Sequence, residues 1–178
     1  MMGIQIGAKP DRGFDDPIGM LADCHRRIEW FLNILRMVAE RARGRSLSAQ
    51  ETEAVDSALH YFHVGGLRHN ADEEQSLFPR LRHASATDAL AELQALENDH
   101  RRAGELHVAI EQGYRLWMDT GRLNAEDEQR LIEAAAALGR LYAQHIRIEE
   151  ETVFPRAART LDKQTIAAMG EEFRARRA

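Results

Sequence analysis

The chain has 178 residues and a mass of 20.2 kDa, which is the size of one domain that can bury a core without disulfide or metal cross-links. Its 24 basic and 29 acidic residues give a net charge of −5, which disfavours nucleic-acid binding through phosphate contacts. The single cysteine, Cys24, excludes an internal disulfide and favours a cytoplasmic location. No apolar run approaches the about 20 residues that cross a bilayer, and no secretory signal is recognisable, so we expect no membrane association.

The hydrophobic pattern predicts helices from about residue 16 onward. Residues 1–15 carry no periodicity and are expected to form a flexible arm. Asp16 followed by Pro17 is typical of an N-cap with proline at the first helical position. The first helix therefore begins there, and Gly44 predicts its end near Arg43.

Three further helix starts are predicted from capping residues, which are Ser48 with Glu51, Asn124 with Asp127, and Asp162. The polar stretch 83–87 separates the second helix from the third. No segment alternates as a β-strand does. The sequence thus predicts an all-α fold, an up-down antiparallel four-helix bundle over residues 16–160. A short fifth helix is expected over 163–175, within a helical tail of residues 161–178 whose terminal arginines are solvated and frayed.

Polar residues within the inward-facing helical stripes repeat at fixed spacing. His69 is followed by glutamates four and five residues later and by Phe-Pro-Arg from the ninth, and the same pattern follows His145. His25 and His100, in the first and third helices, are each followed by two arginines. The bundle therefore looks like two duplicated helical hairpins, whose equivalent residues meet near a pseudo-two-fold axis.

Residues four apart on a helix project from one side, so the duplicated histidine and glutamate face this axis together. The convergent set contains four imidazoles and two carboxylates, which are His25, His69, Glu73, His100, His145 and Glu149. Such ligands suit iron, manganese or zinc, and six of them exceed the needs of one tetrahedral zinc. We expect two octahedral ions with two histidines each, both glutamates bridging, and positions left open for small ligands. A purely structural core would leave these buried charges uncompensated.

These motifs resemble the hemerythrin-like family, the branch known as the HHE cation-binding domain, over roughly residues 15–160. The resemblance implies a four-helix bundle around a non-haem di-iron centre with carboxylate and oxo or hydroxo bridges; zinc or manganese is the alternative content. It also implies terminal ligation by the four histidines and bridging by Glu73 and Glu149. The expected ligands are small molecules such as O2, peroxide or NO, with no nucleic acid and no identified protein partner.

Two departures separate the chain from the oxygen-carrying members of that family. Carriers have a second histidine four residues after the third-helix ligand, where this chain has Gly104, and their last helix has His followed five residues later by Asp. Here Glu149 follows His145 at four residues. The resemblance therefore implies sensing, detoxification or iron handling more than reversible oxygen carriage. A di-iron oxidase or peroxidase, and a metal-stabilised interaction module without chemistry of its own, remain alternatives.

Several other titratable residues lie near the predicted centre, and the pattern does not decide whether they join it. These residues are Glu29, Glu74, Glu97, His107 and Glu150. Glu74 and Glu150 are expected to face outward or to support the ligands from behind. His60 and His63 fall off the inward stripe, and His60 is expected to be solvated.

Overall fold

The computed structural model describes residues 11–84 and 88–178, and these form helices and short connections without strands. The α-helices are, in chain order, α1 (Pro17–Arg41), α2 (Ala49–Tyr61), α3 (Leu67–Asp72), α4 (Phe78–Ala84), α5 (Asp88–Thr120), α6 (Ala125–Ile148), α7 (Phe154–Thr160) and α8 (Lys163–Ala175). Three π-helical segments interrupt them, which are π1 (Phe62–Gly66), π2 (Glu73–Leu77) and π3 (Glu149–Val153). The second bundle helix therefore runs from α2 through α4, and the fourth comprises α6, π3 and α7.

The predicted capping residues begin these helices. The Asp16 carboxylate accepts a hydrogen bond from the Gly19 amide at 3.0 Å, and Ser48 forms a reciprocal capping box with Glu51. The side chains of Asn124 and Asp162 cap α6 and α8 in the same way, and α8 covers the predicted range. The first helix ends two residues before the predicted boundary, ahead of Gly44 at φ +73°. Of the predicted break at 83–87, residues 85–87 lie outside the described residues.

The four long helices pack into a bundle in which each contacts two neighbours. Helix α1 packs against α2 and α6, and α5 packs against α6, α2 and α4. Short connections join consecutive helices, and the described fold is all-helical, as predicted. Among the described helices, none is both long and apolar enough to cross a membrane.

Two separate apolar cores fill the bundle, with the polar residues between them. One core includes Ile28, Leu35, Ile110, Tyr114, Trp117 and Leu138, and the other includes Leu21, Phe78, Leu81, Leu93, Leu96 and Phe173. Along α1, His25 lies between residues of the two cores, and along α5 His100 does the same. The predicted ligands therefore occupy one layer across the bundle, enclosed by apolar packing on either side.

The C-terminal tail is attached to the bundle, which corrects the expectation of a frayed, solvated end. Helix α8 buries Met169 and Phe173 in the second core. Beyond it, Arg176 and Arg177 bind the two carboxylate oxygens of Asp72 at 2.8 and 2.6 Å, and Asp72 is only 1% exposed. The terminal arginines thus compensate a buried charge next to Glu73.

Residues 1–10 of the predicted arm lie outside the described residues, whereas residues 11–15 contact the bundle. The Arg12 amide donates a hydrogen bond to the buried Asp23 carboxylate at 2.6 Å. Phe14 packs against the second core, where its carbonyl approaches Gly170 so closely that a Cβ at that position would overlap it. This end of the chain therefore helps to hold α8 in place.

Candidate metal centre

The six predicted ligand residues meet in one buried layer of the bundle. The first and third helices contribute one histidine each, and the second and fourth contribute a histidine and a glutamate each. All six side chains are at most 6% exposed, and the two glutamates are fully buried. Their ligand atoms fall into two overlapping groups, in each of which the atoms lie within 4.8 Å of one another. One group is His25, His69, Glu73 and Glu149, and the other is Glu73, His100, His145 and Glu149.

Glu73 lies between a histidine of each group. Its Oε1 is 3.4 Å from Nε2 of His69, and its Oε2 is 3.3 Å from Nε2 of His100. One carboxylate oxygen of Glu73 thus faces each histidine pair, so this carboxylate can contribute to both groups.

Glu149 occupies the equivalent position in the second repeat. Its Oε2 lies 3.1 Å from Nε2 of His25 and 3.3 Å from Nε2 of His145, so it also contacts one histidine of each group. The duplication detected in the sequence therefore appears in space as two glutamates shared between two histidine pairs.

The two glutamates stand at the starts of the duplicated π-helical segments. The amide of Phe78 donates to the carbonyl of Glu73 and that of Phe154 to the carbonyl of Glu149, each five residues earlier. Proline follows both phenylalanines, and it has no amide hydrogen to donate and crowds the carbonyl four residues before it. The wider turn relieves this conflict, and π turns of this kind occur frequently at functional sites.

The chemistry of the layer fits a metal ion better than a polar core. Among the described residues, all four carboxylate oxygens of Glu73 and Glu149 and the Nε2 atom of His25 are buried without a well-aligned hydrogen bond, although histidine Nε2 atoms lie 3.1–3.4 Å from the carboxylates. Buried polar atoms in native proteins are otherwise nearly always paired, since each unpaired group costs free energy. Metal coordination satisfies these lone pairs, so the residues present fit metal cations.

The carboxylates in the layer raise the pKa values of two of the histidines. Burial disfavours the charged imidazole, but Glu149 outweighs this effect and raises the pKa of His25 to about 9. Burial likewise opposes protonation of His100, and the carboxylates of Glu73 and Glu74 raise its pKa to about 10. Without cations in the layer, protons on these imidazoles compensate the charge.

The two carboxylates respond differently to the same burial. Burial and the neighbouring Glu149 charge raise the pKa of Glu73 to about 7. Burial also opposes ionisation of Glu149, but contacts with His145 and His25 outweigh it and lower its pKa. One of the paired carboxylates is thus poised to carry a proton at neutral pH.

Three of the four histidines have a carboxylate behind the ring, at the nitrogen turned away from the centre. Nδ1 of His25 contacts Glu150 at 2.9 Å, and Nδ1 of His100 contacts Glu74 at 2.7 Å. Glu74 and Glu150 therefore contact the predicted ligand histidines from behind. This is one of the two arrangements expected from the sequence, the other being an outward orientation. Such contacts hold an imidazole in the orientation and tautomer that binds a metal.

His69 and His145, which occupy equivalent positions in the two repeats, break the symmetry of the duplication. Nδ1 of His145 lies 3.5 Å from the Asp99 carboxylate, whereas Nδ1 of His69 has no carboxylate within 4 Å among the described residues; neither nitrogen forms a hydrogen bond in the described part of the chain. In the repeat, the position equivalent to Asp99 is Cys24, a buried free thiol. The two histidine pairs thus differ in the residues behind them, and they also differ inside the layer, where the Nε2 atoms of His100 and His145 lie 3.1 Å apart.

The other residues left open by the sequence lie outside the centre. Glu29 is exposed, and Glu97 pairs with Arg82 at 2.7 Å near the surface. His107 contacts the hydroxyl of Tyr142 at 3.0 Å instead of joining the ligand layer. Tyr142 was missed in the sequence, although its position three residues before His145 puts it on the inward face.

Gly104 lies one helical turn after His100, at the wall of a cavity. A Cβ built on it has no other atom within 4 Å, so the space beside His100 is open. The second histidine of oxygen carriers is absent here, and no other described side chain fills its place.

Comparison with known proteins agrees with this geometry. The family model of the hemerythrin HHE cation-binding domain matches residues 16–157. The chain belongs to the hemerythrin HHE family. A search among curated proteins found no match. The match ends at residue 157, before α8 and the arginines that bind Asp72. Hemerythrin-like HHE domains bind metal cations, and the layer described above is where this domain can hold them.

Proposed function

We propose that this protein is a di-iron protein, in which His25 and His69 hold one ion and His100 and His145 hold the other. Glu73 and Glu149 bridge the two ions. The observation that carries this proposal is the pair of fully buried carboxylates without a well-aligned hydrogen bond, each lying between two histidine pairs. Imidazole and carboxylate together suit iron, and each ion then keeps positions for exogenous ligands.

The proposed ligands are small molecules, namely O2, peroxide or NO, in sensing, detoxification or iron handling. Two iron ions supply electrons to such ligands when they are reduced. The protein supplies a buried layer between two apolar cores, imidazoles held from behind by Glu74 and Glu150, and an open face at Gly104. We infer that this open face favours peroxide consumption over reversible oxygen carriage, because solvent and protons reach the ion at His100.

The alternative of an interaction module that uses the fifth helix has less support. The apolar residues Met169 and Phe173 of α8 are buried in the bundle, and Arg176 and Arg177, which follow α8, are engaged by Asp72. The face of α8 that carries Met169 and Phe173 is therefore already covered by the bundle. A cytoplasmic location stays part of the proposal, since a lone buried cysteine fits a reducing compartment.

Stopped-flow oxidation of the reduced, iron-loaded protein tests the proposed function. The wild type should oxidise quickly in air and consume hydrogen peroxide. Gly104→His should slow both reactions, because the added imidazole has room beside His100 and occupies the open position. Gly139→His in α6, where a new side chain meets only the flexible Arg36, is the matched control. Slow air oxidation and no peroxide consumption by the wild type would contradict the proposal.

A further inference from the structure

A cavity of about 430 Å³ opens between the second bundle helix and α5 and ends at the ligand layer. We call it the access cavity, and its walls include Phe62, Gly66, His100, Gly104, His107 and Tyr142. A water molecule occupies roughly 30 Å³ in the liquid, so the cavity is far larger than a diatomic ligand or hydrogen peroxide requires. Its volume lies within the range of pockets that hold small organic molecules.

Charge in the access cavity favours a neutral occupant. Of the described residues that line it, none is a lysine or arginine. The one carboxylate, Glu111, lies 2.7 Å from His63, which is largely exposed. The His100 imidazole also lines the cavity, but Glu73 and Glu74 already pair with it at 3.3 and 2.7 Å. A carboxylate or phosphate ligand would therefore find no unpaired cationic partner inside and would face the charge of Glu111.

The walls and the mouth of the access cavity favour an apolar molecule. Leu59, Phe62 and Ala103 line the interior, while Leu67 and Val108 at the rim are 62% and 55% exposed. These two are among the few large apolar side chains that the described surface exposes. Their burial by an apolar ligand is favourable in proportion to the area covered.

A single polar site stands at the inner wall. The Tyr142 hydroxyl and His107 Nε2 are 3.0 Å apart, and Tyr142 is buried. Burial, with a smaller effect of the His63 charge, lowers the pKa of His107 to about 4, so the ring is neutral at physiological pH. The phenolic oxygen keeps acceptor capacity for a second hydrogen bond. One ligand hydroxyl can therefore be satisfied at this wall, which also includes His100.

We propose that the access cavity binds a neutral, largely apolar organic molecule with one hydroxyl or hydroperoxyl group, and holds that group beside His100. The binding depends on the cavity alone. The inference that such a molecule is a substrate rests on the proposed function. In that case organic hydroperoxides, more than hydrogen peroxide, are the peroxides that reach the metal layer.

Calorimetric binding of 2-phenyl-2-propanol to the protein as purified tests this proposal, with benzoate as the anionic probe of similar size. Saturable binding of the alcohol and at least about tenfold weaker binding of benzoate are expected. Gly104→Leu should weaken binding of the alcohol by about tenfold or more, because its side chain enters the access cavity. Gly139→Leu is the matched control and should bind like the wild type.

Two results would overturn the proposal: equal binding of the alcohol by wild type and Gly104→Leu, or tighter binding of benzoate. Metal analysis of all variants accompanies the titrations. Normal metal content without alcohol binding refutes the cavity assignment and leaves the proposed function standing. Alcohol binding by a protein that neither retains iron nor consumes peroxide refutes the proposed function alone.

Discussion

Glu74 and Glu150 offer a direct way to separate the two proposed ions. Each contacts Nδ1 of one ligand histidine, Glu74 that of His100 and Glu150 that of His25. Loss of such a contact lowers metal affinity by about 10- to 100-fold. Both carboxylates are more than a third exposed, at 38% and 45%, so solvent screens them and the lower end applies. Glu74→Gln and Glu150→Gln should each cost about tenfold, which is about 1.4 kcal/mol.

The assay is a competition titration of zinc against a chelating dye, which resolves two binding steps. Each variant should weaken one step and leave the other near its wild-type value, and the double variant should weaken both. Glu151→Gln is the matched control, because Glu151 is exposed next to Glu150. If both single variants bind both ions as Glu151→Gln does, these glutamates do not support the ligand histidines and the reasoning fails.

Three further outcomes are expected. Because the pKa values of His25 and His100 are raised to about 9 and 10, both imidazoles are protonated in the metal-free protein at pH 7. Zinc binding should therefore release about two protons and tighten as pH rises from 7 to 9. Calorimetry in buffers of different ionisation enthalpy measures the number of protons released. Zinc binding without proton release would refute this prediction. Asp99→Ala should weaken the ion at His145, whereas Cys24→Ala in the equivalent position should leave the dye titration unchanged; equal losses would contradict the described asymmetry. Replacing Arg176 and Arg177 with alanine should cost about 3–5 kcal/mol in urea unfolding, because Asp72 keeps a buried charge without partners; an effect no larger than that of Arg174→Ala would show that the tail does not compensate Asp72.

The sequence could predict which side of each helix the proposed ligand residues occupy, because this depends on helical geometry alone. The spacing of His69 to Glu73, repeated in His145 to Glu149, places each pair on one side of a helix whatever the packing. The repeat of these pairs then indicated two halves meeting at an axis. Capping residues such as Asp16 and Ser48 predicted helix starts for the same reason, since their partners lie within three residues.

Contacts between distant parts of the chain were not predictable in this way. Glu150 reaches His25 from 125 residues away, and its role depends on how α1 and the fourth bundle helix are rotated against each other. The same holds for Asp72, whose partners Arg176 and Arg177 follow it by more than a hundred residues. One sequence contains no signal for such pairings, which explains why the tail was predicted to be solvated.

The π turns at Glu73 and Glu149 were only partly predictable from the sequence. Phe78-Pro79 and its duplicate were noticed as part of the repeat, and proline conflicts locally with an α-helix. Whether the helix breaks, kinks or widens at such a proline depends on the packing around it. Here the helices on both sides stay packed, and the turn widens.

The central claim is that six side chains hold two iron ions, and the iron content of the protein tests it most directly. Metal analysis and an optical spectrum of protein purified aerobically, after expression with iron available, provide the measurement. Two iron ions per chain are expected, with absorption bands typical of bridged ferric pairs, and His69→Ala should lower the content while His60→Ala, at an exposed position, should not. One tightly bound zinc ion per chain and no iron would contradict the account.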